Sequence, residues 1–215
     1  MKKRLAGTML AAAMLLSACS FGASAEERLS DAIGTIQEKE QPFLEAQEKM
    51  ASLEKEEFGK FNAMMELTQE DREKLSVLAD EANESAEERL DLLEKGKEAL
   101  GKAEKELSGL DEIGKDEEAP VSEAVGKLKK SMADRYAAHE EFSGIYEKTA
   151  GLQKELYSLA TDEQADFQAI QEKVKAVNDG NAEVTAAADA FNEATEAVNE
   201  QKKEAYAAIS GSEEK

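Results

Sequence analysis

Tryptophan is absent from this 215-residue chain, and cysteine and histidine occur once each, at Cys19 and His139. No Cys–His zinc spacing can be assembled from such an inventory. Proline appears twice, at Pro42 and Pro120, and phenylalanine plus tyrosine total 11. Basic residues are scarce. Setting aside Lys2, Lys3 and Arg4 leaves 24 of them against 48 acids after Ala18, a net charge of −24. That balance excludes nucleic acid as a partner, because its affinity comes from lysine and arginine on phosphates. It also disfavours anionic lipid surfaces. Neither a glycine-rich phosphate loop nor a serine nucleophile elbow is present. Only one long apolar run exists, at residues 5–16. As a helix it would span about 18 Å, short of the roughly 30 Å of a bilayer core.

What is abundant is alanine, glutamate, lysine and leucine, the material of long helices and coiled coils. Acidic, aromatic-poor chains are also often disordered, and periodicity decides between the two. Phe167, Ile170, Val174, Val177, Asn181, Val184, Ala188, Phe191, Thr195, Val198, Lys202, Ala205 and Ile209 step by three and four. A seam held in phase for about six heptads has no place in a disordered chain. The turn-like "NDGN" at 178–181 does not interrupt the phase, so one helix with a weak spot is expected there.

A second seam runs from Val121 through Val125, Leu128, Met132, Arg135, His139, Phe142, Tyr146, Thr149, Leu152 and Leu156 to Leu159. A third takes in Leu75, Leu78, Ala82, Leu92, Leu100, Ala103 and Leu107, and a fourth Leu29, Ile33, Ile36, Phe43, Met50, Leu53, Phe61 and Met64. Pro42 should kink the first segment or mark a new start. Pro120 suits a first helical turn. Thr68 with Asp71, and Thr161 with Gln164, have capping-box spacing. The stretch "SGLDEIGKDEEAP", 108–120, reads as the longest connection. Four segments of about 40 to 48 residues joined by short turns predict an all-α fold: an elongated, coiled-coil-like, antiparallel up-and-down four-helix bundle over 26–210. Each helix would be roughly 60 to 68 Å long. Residues 211–215 are expected to be a disordered tail.

The N-terminus has the layout of an export signal: "MKKR", the apolar run, then the small residues Ser17 and Ala18 before Cys19. A lone cysteine in an exported protein otherwise implies a free or intermolecular thiol. "LSAC", residues 16–19, resembles the lipobox of bacterial lipoproteins. That resemblance implies residues 1–18 as a signal peptide, cleavage between Ala18 and Cys19, and a diacylglyceryl group on the Cys19 sulfur. Two acyl chains suffice for stable anchoring. The breaker-rich "SFGASA" that follows would complete a tether over 19–25.

Two further stretches, "EQPFLEAQEKMASLEKEE" (40–57) and "RYAAHEEFSGIYEKTAGLQKELYSLATDE" (135–163), resemble the cell-wall-binding lipoprotein family of Gram-positive bacteria. The resemblance spans nearly the whole chain after Cys19. It implies a lipid-anchored four-helix bundle on the outer face of the cytoplasmic membrane, with no established enzymatic activity.

Candidate chemistry is thin. His139 lies on a seam and reads as a partly buried histidine hydrogen-bonded within the bundle rather than a general base. Tyr136, not an acid, stands three residues before it, against a di-metal core of Glu-x-x-His type. Acid pairs such as Glu56/Glu57 and Glu140/Glu141 read as solvated faces. Arg135, Asn181 and Thr195 are polar seam residues expected to be buried and to set register. The expectation is therefore a non-catalytic interaction or spacer module without cofactor or metal, or else a binder of a wall polymer or peptide. Its contacts are the membrane, through Cys19, and a cell-wall or envelope-protein partner. With helix one leaving the membrane, the turns near Thr68 and Thr161 would form the far tip.

Overall fold

A computed structural model describes residues 23–213. The chain forms α1 (Ala25–Met65), a short 3-10 turn (Gln69–Asp71), α2 (Arg72–Glu106), α3 (Ser108–Asp116), α4 (Ala119–Thr161) and α5 (Phe167–Glu213). The four long helices form the expected all-α up-and-down bundle. α1 pairs with α2, α4 pairs with α5, and α2 packs on α4. α1 and α4 therefore sit on one diagonal, and α1 and α5 touch little.

Side chains at the helix ends set these limits. Ser24 caps α1 in a full capping box with Glu27, two reciprocal bonds of 3.0 and 3.1 Å. Helix therefore begins inside the segment read as tether. Thr68 and Asp71 form the expected box around the 3-10 turn. Thr161 does not cap: it ends α4, and its hydroxyl donates back to the Ser158 carbonyl at 3.0 Å. Asp166 takes that role for α5, accepting from the Gln168 amide at 3.1 Å. An aspartate one residue before the helix competes better for its first amides than a threonine six residues upstream.

Three expectations are corrected. The 108–120 connection is mostly the helix α3. Leu107, Leu110 and Ile113 stand three residues apart and are buried, closing one end of the bundle. Pro42 starts no new helix; α1 is continuous across it. Buried Ile36 and Phe43 anchor the turns on either side, and Pro42 faces solvent, where water can satisfy the freed carbonyl. α5 runs to Glu213, into the segment expected as a tail.

Three apolar clusters stack along the rod. The largest is basal and joins α1, α2, α3, α4 and α5 around Leu29, Leu110, Val121 and Ile209. A middle one holds Met50, Leu93 and Tyr146, and a distal one Met64, Ala79 and Tyr157. An ion pair between Arg72 and Glu163 ties the two distal turns together. At the base, Arg28 pairs with Glu117 at 2.5 Å.

Candidate functional site

The α5 seam keeps its phase to Phe167, yet its burial does not. Phe191, Ala205 and Ile209 are buried, whereas Phe167 is 71% exposed. Asn181, expected in the core, is exposed. The reason is that α1 stays away from α5 in the distal half. A groove of about 350 Å³ lies between them, walled by Phe58 and Phe61 of α1 and Val174 and Val184 of α5. A second, more apolar hollow of about 300 Å³ adjoins it, sharing Glu54 and Tyr146 and running down to Phe43.

The groove floor is polar. Arg89 of α2 and Glu57 of α1 are each 3% exposed. Arg89 makes a fork on the carboxylate, Nε to Oε2 at 3.0 Å and Nη2 to Oε1 and Oε2 at 2.8 and 2.7 Å. Arginine's planar fork matches a carboxylate in a way lysine cannot. The remaining donors reach Tyr146 Oη at 2.7 Å and Gln153 Oε1 at 2.8 Å. Tyr157 donates to Glu57, and Tyr146 to Glu54, each at 2.6 Å. Burial first, then the neighbouring carboxylate, holds the Tyr157 phenol protonated far above its usual range. Every strong donor in the floor is thus committed to a partner, as a buried polar network requires.

A related cluster sits lower on the same diagonal. Arg135 donates to Glu40 at 2.7 Å and to Thr195 Oγ1 at 3.0 Å, and Tyr136 donates to Glu40 at 2.6 Å. The Arg135 guanidinium lies over the Phe191 ring, 5.0 Å from its centre. Of the polar seam residues expected to be buried, Arg135 is buried and Thr195 half-buried, and the two bond to one another. His139 is buried beside them, edge-on to Phe43 at 4.9 Å. Its Nδ1 is 3.4 Å from Ser143 Oγ. Burial, then the charges of Arg135 and Lys97, push its pKa down to about 4. Among the described residues no group of three or more His, Cys, Asp or Glu is placed to hold a metal ion. No described helix is long and apolar enough to cross a membrane. Ala18 and Cys19, the expected cleavage and lipidation positions, lie outside the described residues.

The family described as "Putative cell-wall binding lipoprotein" (YkyA) matches residues 24–208. The chain belongs to this family. Both stretches that carried the resemblance, 40–57 and 135–163, fall inside the match, and they contribute Glu40, Glu54, Glu57, Arg135, Tyr146 and Tyr157 to the two networks. One relative in the family is the "Uncharacterized lipoprotein YkyA" of Bacillus subtilis (strain 168), 25% identical over 201 residues, 93% of this chain and 90% of its own length. A crystal structure of a conserved protein of unknown function from Staphylococcus aureus superposes with a TM-score of 0.73 at 18% identity. It covers 86% of this chain and 96% of its own. That likeness concerns the fold.

Sequence reasoning missed Glu57, Arg89 and Glu40. A signal for them was present: the α1 seam steps by seven across Glu40 and by eight across Glu57, and the α2 seam leaves a gap at Arg89. Acids and arginines standing where a seam should be apolar mark buried ion pairs. The acid pair Glu56/Glu57 also divides. Glu56 is exposed as expected, whereas Glu57 is buried, because consecutive helix residues point about 100° apart.

Proposed function

We propose that this member of a lipoprotein family is a non-catalytic interaction module of the cell envelope. Cleavage between Ala18 and Cys19 and a diacylglyceryl group on Cys19 would anchor it to the outer face of the cytoplasmic membrane. The observation that carries the reading is the start of α1 at Ala25, capped by Ser24. Only a few residues separate the proposed anchor from a rigid helix. The groove at Glu54–Phe61 would then stand about 45 Å further along α1, at 1.5 Å per residue. A long spacer with a groove near its far end suits holding a partner away from the lipid. The commitment of Arg89, Glu57 and the tyrosines to one another supports a binding rather than a catalytic role, since a general base needs a free proton path.

The test is fractionation of cells expressing Cys19→Ala. The expected result is loss of fatty-acid labelling, with the protein left unprocessed or released from the membrane. Labelling equal to the parent's would refute the anchor. A second reading, binding of a wall polymer or peptide, draws on the family's printed description. Sedimentation with purified wall, with and without calcium and magnesium, checks it; retention competed by sugar and indifferent to cations would favour it.

A further inference from the structure

α1 carries a second apolar stripe beside its core seam. Leu44, Ala51, Phe58 and Met65 stand seven residues apart, and all four are exposed. Leu44 is 51% exposed, Phe58 66% and Met65 68%. Between them, at the d spacing of the same heptads, lie Gln47, Glu54 and Phe61. Across the groove Val174, Val177 and Val184 of α5 form the other wall, Val177 buried and the other two half-buried. Phe58 and Phe61 thus face these valines across the groove, Ala51 lines the adjoining hollow, and no described helix of this chain lies in the groove. The α1 stripe, Leu44 to Met65, is about 31 Å long.

We propose that this groove seats an amphipathic α-helix of a partner protein, with an apolar a/d stripe and a lysine or arginine opposite Glu54. The helix form follows from the spacing, because anchors repeating at three, four and seven residues are what a helix in a groove presents. The cationic residue follows from the groove's charge. Glu57 and Arg89 neutralise one another. Glu54 accepts from Tyr146 and from no described lysine or arginine. Glu54 therefore sets the sign, in a molecule that is already strongly anionic. A single charge in an apolar stripe also fixes the register of the incoming helix. A second copy of this chain is a poor occupant, since it is itself strongly anionic, with 48 acids against 27 basic residues. The proposal names the partner class for the interaction role above and shares its reading of the groove.

The experiment uses the full chain in zwitterionic nanodiscs, with empty nanodiscs as the blank. This keeps the result independent of whether Cys19 is lipidated. Two synthetic 21-residue amphipathic helices share one apolar stripe and a photoreactive group; one has lysine and the other glutamate at the position meant for Glu54. The lysine peptide should crosslink to residues 44–65 and 167–185. Phe58→Ala, a change at a two-thirds-exposed side chain, should weaken it at least tenfold. The glutamate peptide should bind the parent at least tenfold more weakly and recover on Glu54→Lys. Crosslinks spread over the acidic surface would overturn the proposal. So would equal binding of both peptides, or no binding by either. A concentration-dependent dimer abolished by Phe58→Ala would assign the groove to a second copy instead, and overturn it as well.

Discussion

Arg89 and Glu57 bear on stability through what they leave behind when separated. Both are buried, and each is the other's main compensation. Arg89→Ala should destabilise the bundle by about 3–5 kcal/mol, measured by urea unfolding, because a carboxylate remains buried with only Tyr157 beside it. The joint change Glu57→Leu with Arg89→Met should cost far less than the single one, since no unpaired charge remains. His139 acts through pH. It is neutral in the fold down to about 4, against an ordinary 6.5. Between those values the unfolded chain binds the proton and the folded chain does not. Stability therefore falls as pH drops from about 6.5 to 4, by up to ~3 kcal/mol. His139→Leu should flatten that part of the profile relative to the parent. Equal slopes for the two would show that the imidazole is not the group responsible.

At the scale of the helix, Gly180 explains the "NDGN" stretch. α5 is unbroken there, as the continuous phase implied. A Cβ at Gly180 would lie 2.7 Å from Thr149 Oγ1 and 3.0 Å from its Cγ2. Thr149 is buried and bonded to the Ile145 carbonyl at 2.9 Å, and its branched side chain has little freedom to move. The glycine serves the close approach of α4 and α5, not a turn. Gly180→Ala should therefore cost about 1–3 kcal/mol, despite alanine's better helix propensity. Gly126→Ala, on the exposed face of α4 with nothing within 4 Å, should gain about 0.5–1 kcal/mol instead. Thermal unfolding of the pair gives opposite signs if helix contact is the cause.

Across the whole molecule, packing is uneven from base to tip. The basal cluster joins all five helices, whereas the distal end of α5 rests chiefly on α4 and fronts the groove. Local opening follows buried contact. Backbone amides of residues 170–184 should therefore exchange with deuterium faster than those of 195–209. Equal protection would mean that the groove does not weaken the distal half. In the proposed arrangement the looser end is the one furthest from the membrane, where a docking helix could add the missing contacts.

Much of this was legible along the chain. Heptad phase identified four long helices, because a helix face repeats every three to four residues whatever it packs against. Pro120, Thr68 and Asp71 act within one turn, so their roles could be read locally. α3 escaped because its glycines and acids look like a loop, while its Leu110 and Ile113 become core only once the bundle end exists. The groove escaped for a related reason. An apolar seam records that a residue is able to be buried, and the spacing between α1 and α5 decides whether it is. The pairing of Arg89 with Glu57, 32 residues away on another helix, likewise depends on register between helices. Sequence alone determined the four long helices, their order and their apolar seams, since these rest on local geometry. Only the tertiary structure decided which polar residues meet and which apolar face stays open, because those depend on distances between helices that no single helix encodes.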